Sequence, residues 1–324
     1  MCRICGAKAG EAHDRYGLLW HGIQAIERTV QFTVCRYSGL DVRSLAIDPG
    51  AWSSVSRSVS EPLPRGETSF SLRCGEYWLR GRFLDGGCHR IRSVLFAIHG
   101  ACSDLAALDP ILYPLQAMGV SSLTCNLSGH NAASPIALEQ SCLSKNLKEV
   151  LKFYQAMSGL SAVCGVSMGG ALALKLAEAH QDKIEKIILV CPAIYPECAY
   201  GPAFGEPFRH AIAVPYGFMD SSSLLFLRRF SGAVLLIVGE YDGLRSSDFG
   251  REPGRSAGHV LINERRAYSA IPCEVIRAIE EAVPHGGLEK VILPDCDHGI
   301  STWLGSDETR QRWLAEQVVD FLEA

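Results

Sequence analysis

The sequence has no surplus of positive charge. Its 31 Lys+Arg stand against 35 Asp+Glu, a net charge of −4, and no basic block could neutralise a run of phosphates, so nucleic acid is not an expected partner. Long apolar runs are missing too. The longest, such as Ala233–Val238, have the length of a strand and not of a membrane span. The start, Met1-Cys2-Arg3-Ile4-Cys5-Gly6, lacks the apolar stretch of a signal peptide. No membrane partner is expected, and the location expected is cytoplasmic. No internal repeat and no long low-complexity tract occurs. A second Cys-x-x-Cys is also absent: Cys2 and Cys5, with His13, make half a zinc knuckle that only Cys35 or His21 would complete, at irregular spacing. The expectation is no metal. The 13 cysteines are odd in number and mostly set in apolar stretches (Cys125, Cys164, Cys191), which reads as reduced thiols and not as a disulfide framework.

What is present fits one large α/β domain, since 324 residues suffice to bury a full core without staples. Residues 1–65 are polar and irregular, with a Ser/Arg-rich stretch at Ser53–Ser60 and prolines at Pro62 and Pro64, and read as an N-terminal extension of undefined role. The folded domain is expected over 66–324. It opens with an alternating hairpin, Ser69–Arg73 and Glu76–Phe83 around Cys74-Gly75. Short apolar runs follow at Val94–His99, Ser121–Asn126, Ala162–Gly165, Ile187–Cys191, Ala233–Val238 and Val291–Leu293. Helix-length segments separate them, among them Leu138–Met157, Gly170–His180, Pro272–Val283 and Thr309–Leu322. That alternation predicts a mostly parallel, doubly wound sheet with right-handed crossovers. Two gaps exceed ordinary connections, about 195–231 and 243–287; the first is expected to form a small cap.

The sharpest chemical signal is Gly165-Val166-Ser167-Met168-Gly169, placed between the apolar strand Ala162–Cys164 and a helical stretch. A strand ending in Gly-x-Ser-x-Gly and feeding a helix describes a nucleophile elbow, a turn so tight that side chains at 165 and 169 would collide with neighbouring backbone. It holds a serine hydroxyl at a helix N-terminus, where free N–H groups favour a developing negative charge. A hydroxyl needs a base. His298, on a loop after a short apolar strand and before the last helix, is the candidate, and chain order favours it over the other histidines. Asp242, after Ala233–Val238, is the candidate acid that fixes the histidine's tautomer, with Glu240 its near rival. Two backbone donors are expected to form an oxyanion hole: the N–H of Met168, and that of Ala101 in the loop after Val94–His99, where His99-Gly100 serves to shape the loop.

Taken together, the hairpin, His99-Gly100, the turn Asn126-Leu127-Ser128-Gly129-His130-Asn131, the elbow, Gly239–Asp242 and His298 resemble the α/β-hydrolase superfamily over residues 69–324. Asn126 and Asn131 stand where esterase-like members of that superfamily carry an acid and a second glycine. The resemblance implies the α/β-hydrolase fold and acyl transfer through a serine ester, with no cofactor and no metal. It leaves the substrate open. The cap stretch holds Tyr195, Tyr200, Phe204, Phe208 and Phe218, which points to a small-molecule apolar acyl substrate, while Arg209, Arg228 and Arg229 are candidates to meet a carrier- or CoA-linked leaving group. The expected activity is hydrolysis of a carboxylic ester or thioester. An acyltransferase or cyclase, and a non-catalytic binding protein of the same fold, are the competing readings.

Overall fold

Leu95 and Ala97 face one layer of the core while Phe96 and Ile98 face the other, the two-residue period of a strand covered on both sides. These residues belong to the third of ten strands in a computed structural model, which describes residues 66–87, 93–243, 259–262 and 264–324. The N-terminal extension and its Cys2/Cys5 pair lie outside the described residues.

The strands are β1 Glu67–Cys74, β2 Tyr77–Leu84, β3 Val94–Ile98, β4 Ser122–Cys125, β5 Leu160–Val166, β6 Lys186–Val190, β7 Ala233–Gly239, β8 His259–Ile262, β9 Arg265–Tyr268 and β10 Leu288–Leu293. Eight of them form one sheet in the order β1-β2-β4-β3-β5-β6-β7-β10, and β8 pairs with β9 in a separate hairpin. β1 and β2 are antiparallel to each other, β2 is antiparallel to β4, and every later neighbour in the large sheet is parallel. The hairpin followed by parallel strands is the arrangement expected from the sequence. Each parallel crossover is filled by helix, because adjacent parallel strands need a return path across the sheet.

The helices are α1 Asp109–Ala117, α2 Leu143–Gln155, α3 Met168–Ala179, α4 Glu206–Ile212, α5 Ser222–Leu227, α6 Cys273–Ala282, α7 Ile300–Leu304 and α8 Glu308–Glu323, joined by short 3-10 turns. They divide between the two faces. Phe96, Leu236 and Phe153 belong to the layer beneath α2, α3 and α6, whereas Leu95, Leu235 and Phe321 belong to the layer beneath α1 and α8. The stretch 138–157, expected as one helix, is broken. A 3-10 turn at Leu138–Gln140 is followed by Ser141 and Cys142 in extended backbone, and the α-helix begins at Leu143. No glycine or proline marks the break; what occupies it is the Ser141 hydroxyl, buried against Ser128 Oγ at 3.0 Å.

Between β6 and β7 the chain leaves the sheet through α4, α5 and two 3-10 turns. α5 lies on α3 and α6. A half-buried cation fastens this excursion to the domain: Lys175 of α3 ion-pairs with Glu197, bonds Ser222 Oγ at 2.6 Å and lies over the Tyr200 ring.

Candidate active site

The site is built on the turn between β5 and α3. Ser167 has φ 54 and ψ −119, an unfavourable conformation for a residue with a Cβ. Its strain is held by the end of strand β6 and the residues just after it: Ser167 N–H donates to Val190 O at 3.0 Å, and Ala193 N–H donates to Ser167 O at 3.0 Å. The glycines do what the motif requires. A Cβ on Gly165 would sit 2.2 Å from Gly169 O, and one on Gly169 would sit 2.2 Å from Ile98 O. Helix α3 starts at Met168, two residues earlier than the expected Gly170, so the Met168 N–H is among the first four of the helix, which have no intrahelical acceptor.

The three residues picked out as nucleophile, base and acid converge at the carboxyl ends of the strands. Ser167 Oγ lies 2.8 Å from His298 Nε2, and His298 Nδ1 lies 2.7 Å from Asp242 Oδ2. Asp242 is fully buried, and its second oxygen accepts the Ile271 N–H at 3.1 Å. The His298 side chain is 10% exposed, so it meets solvent only at its edge. Its loop is set by three further bonds: His298 N–H donates to Tyr268 O at 2.7 Å, while the Asp297 carboxylate accepts from Gly299 N–H at 2.8 Å and from Tyr268 N–H at 2.9 Å. The Tyr268 ring stands edge-on to the imidazole, 5.3 Å between centroids. The rival acid, Glu240, is turned elsewhere, and its Oε2 accepts the Asp295 N–H at 2.9 Å.

The loop after β3 passes directly over Ser167. A Cβ on Gly100 would come 3.2 Å from Ser167 Cβ and 3.8 Å from its Oγ, which places Ala101, the next residue, at the lip of the site. His99 anchors this loop from beneath. Leu127 N–H donates to its Nε2 at 3.1 Å, which fixes the proton on Nδ1, and that N–H donates to Gly100 O at 2.8 Å. The ring is fully buried, and burial lowers its pKa from 6.5 to about 4. A depressed histidine is neutral in the fold but takes a proton once unfolded, so its contribution erodes as pH falls through 6.5 and is spent near 4. Urea unfolding at pH 5 should give roughly 2 kcal/mol less stability than at pH 7 from His99 alone, with burial-lowered His130 and His180 acting in the same direction. His99→Gln should flatten that dependence, and equal slopes for the two proteins would refute the assignment.

A thiol lies behind the acid. Cys191 is buried against Asp242, and burial first, then that carboxylate's charge, push it well above its usual range. Among the described residues, Cys191, Asp242 and His298 are the grouping whose ligand atoms come within 4.8 Å of one another. It does not suit a metal. The direct 2.7 Å contact between His298 Nδ1 and Asp242 Oδ2 is shorter than two ligands about 2.0–2.3 Å from a shared tetrahedral ion would stand, and the thiol is held in its protonated form.

Sequence reasoning passed over two features of this site. Tyr268 belongs to the β8–β9 hairpin, hidden in a Gly/Arg/Ser-rich stretch that carries no strand alternation. Asn146 and Glu149 lie on α2, and the available signal was two polar residues spaced i and i+3 on that helix's buried side.

Three comparisons bear on this geometry. A family described as serine aminopeptidase, S33, matches residues 89–214, a stretch that contains Ala101, Ser167 and Met168 but ends before Asp242 and His298. A pyrethroid hydrolase from Sphingobium wenxiniae is 31% identical over 120 residues, 36% of this chain; the match spans 42% of that hydrolase's length. Among solved structures, Est1E from Butyrivibrio proteoclasticus superposes with a TM-score of 0.53 at 16% identity, covering 79% of this chain and 99% of Est1E. The thioesterase domain from the curacin biosynthetic pathway gives 0.51 at 15% identity, covering 76% of this chain and 99% of that domain.

Proposed function

We propose that this chain, which has the α/β-hydrolase fold, hydrolyses a carboxylic ester or thioester through an acyl-enzyme on Ser167. One observation carries the reading: an unbroken line of hydrogen bonds, 2.8 Å and 2.7 Å long, runs from the Ser167 hydroxyl through His298 to a fully buried Asp242. His298 Nε2 takes the Ser167 proton as Oγ attacks the acyl carbon, and Asp242 accepts the Nδ1–H and stabilises the imidazolium. The Met168 and Ala101 N–H groups face the oxygen that becomes negative. The leaving group departs with the proton from His298, and water repeats the sequence in reverse to release the acid. Neither metal nor cofactor has a step in this scheme.

The acyl side is assigned to the chain between β6 and β7, acting as a cap. Tyr195 and Phe208 meet edge to face at 5.3 Å, and Phe208 and Phe204 meet likewise at 5.1 Å, an aromatic wall suited to an apolar acyl group. Matched p-nitrophenyl esters and acyl-CoA thioesters of acetate, octanoate and benzoate test the substrate class. The expected result is turnover that rises from acetyl to the larger apolar acyl groups, with a Ser167 acyl adduct visible by intact mass under rapid quench. Absence of both turnover and adduct across the panel would remove the reading. Adduct formation with product appearing only when an alcohol or amine acceptor is supplied would convert it to acyl transfer.

A further inference from the structure

We infer that His130 is a positioning residue for the oxyanion hole: its Nδ1 holds the backbone of the loop that presents Ala101. The inference rests on the reading of Ser167 as the nucleophile and Ala101 N–H as a donor. It adds a residue outside the triad, on the turn after β4, and a physical reason for it to be histidine.

The loop after β3 is laced to the exit of β4 by three side chains. Asn126 Oδ1 accepts the Leu105 N–H at 3.0 Å, His99 Nε2 accepts from Leu127, and His130 Nδ1 accepts the Cys102 N–H at 3.2 Å. The third bond is the one adjacent to the donor. Cys102 has φ 52, in the left-handed region that a residue with a Cβ occupies only when its surroundings hold it there. The peptide preceding Cys102 carries its N–H to His130, and the peptide before that carries the Ala101 N–H. Fixing one plane constrains the next across a single Cα.

His130 can hold that bond because the rest of its ring is committed. With Nδ1 accepting, the proton is on Nε2, which donates to Asn146 Oδ1 at 2.8 Å. That orients the Asn146 amide, whose Nδ2 donates to Ser128 O at 3.1 Å and Glu149 Oε2 at 3.0 Å. Glu149 also accepts the Ser128 N–H at 3.0 Å and the Tyr77 hydroxyl. Asn146, Glu149 and His130 are all buried. A polar chain running from β2 through α2 to the oxyanion loop, with its hydrogen bonds made, is rigid where an apolar contact would slide. The ring's face is also fixed, with Phe204 edge-on at 4.8 Å.

His130→Phe keeps the ring's volume and its contact with Phe204 but offers Cys102 no acceptor. His130→Asn places Oδ1 near the position of Nδ1 and restores one. Relative to wild type, His130→Phe should lower kcat/KM about 10–100-fold, a fraction of the loss seen when an oxyanion donor is deleted outright. The Ki of a trifluoromethyl ketone analogue should rise by the same factor, and His130→Asn should recover most of both. Amide hydrogen exchange of the peptide covering residues 100–104 should quicken in His130→Phe and return towards wild type in His130→Asn. Wild-type kcat/KM in His130→Phe, with or without faster exchange, overturns the inference. So does a His130→Asn protein as slow as His130→Phe. If instead the wild-type protein neither turns over esters nor labels at Ser167 with a fluorophosphonate, it is the hydrolase reading that fails, and unchanged exchange in His130→Phe would still separately refute the restraint.

Discussion

Ser167→Ala removes turnover and fluorophosphonate labelling together while the protein stays folded. The expected fall in kcat/KM is at least about 10⁴-fold, because the triad acts as a unit and what remains is only the rate provided by binding and the oxyanion donors. The fold tolerates the change. Ser167 is fixed through its backbone, by Val190 O and by Ala193 N–H, and its hydroxyl bonds His298. The methyl group occupies the existing Cβ position, so thermal unfolding should move by no more than a few degrees, as for a single lost hydrogen bond of about 1 kcal/mol. Measured under the same conditions, retained labelling would place the nucleophile elsewhere.

Asp242→Asn produces the second large effect, by a different route. Asp242 accepts two donors, the His298 Nδ1–H through Oδ2 and the Ile271 N–H through Oδ1. An amide has one oxygen. If that oxygen keeps Ile271, the new NH₂ faces Nδ1, and the imidazole must carry its proton on Nε2, where it points at Ser167 Oγ and cannot accept from it. The expected loss in kcat is about 10³–10⁴-fold, with a stability cost of about 1–3 kcal/mol for the mismatched buried donor. Glu240→Gln is the control. Its carboxylate serves Asp295 N–H and not His298, so kcat should change by less than about threefold, within the range of a surface substitution. Equal losses in the two variants would contradict the assignment of the acid.

How much of this was legible in the chain depended on the range of the physics involved. The elbow is a local object: Gly165 and Gly169 are glycines because a Cβ at either would stand 2.2 Å from a backbone oxygen, and such crowding leaves a mark within five residues. Strands β3, β5, β6 and β7 were visible for a similar reason, since parallel strands buried on both faces are continuous apolar runs. Asp242 and His298 were reachable only through chain order, because 56 positions separate them and no spacing rule spans that distance. The break at Ser141–Cys142 was not legible, being imposed by a buried hydroxyl network and not by a helix breaker. The same holds for His130. On the chain it is one polar residue in a turn; its role depends on Asn146, 16 residues away, and on Cys102, 28 residues back.

The way the chain leaving β6 grips Ser167 limits how the segment between β6 and β7 can vary. Ala193 is bonded to Ser167 O, and at the far end of the same excursion Gly232 has no room for a Cβ, which would lie 2.1 Å from Glu185 O, while Ala233 N–H donates to that same oxygen at 3.0 Å. Residues 194–231 are thus spliced into the domain between two rigid joints, one of them in direct contact with the backbone of the reacting serine. Between those joints Glu197 and Ser222 hold Lys175, and Phe204 packs on the His130 ring, so a foreign insert would strip contacts from the domain, whereas single substitutions inside the segment leave the elbow undisturbed.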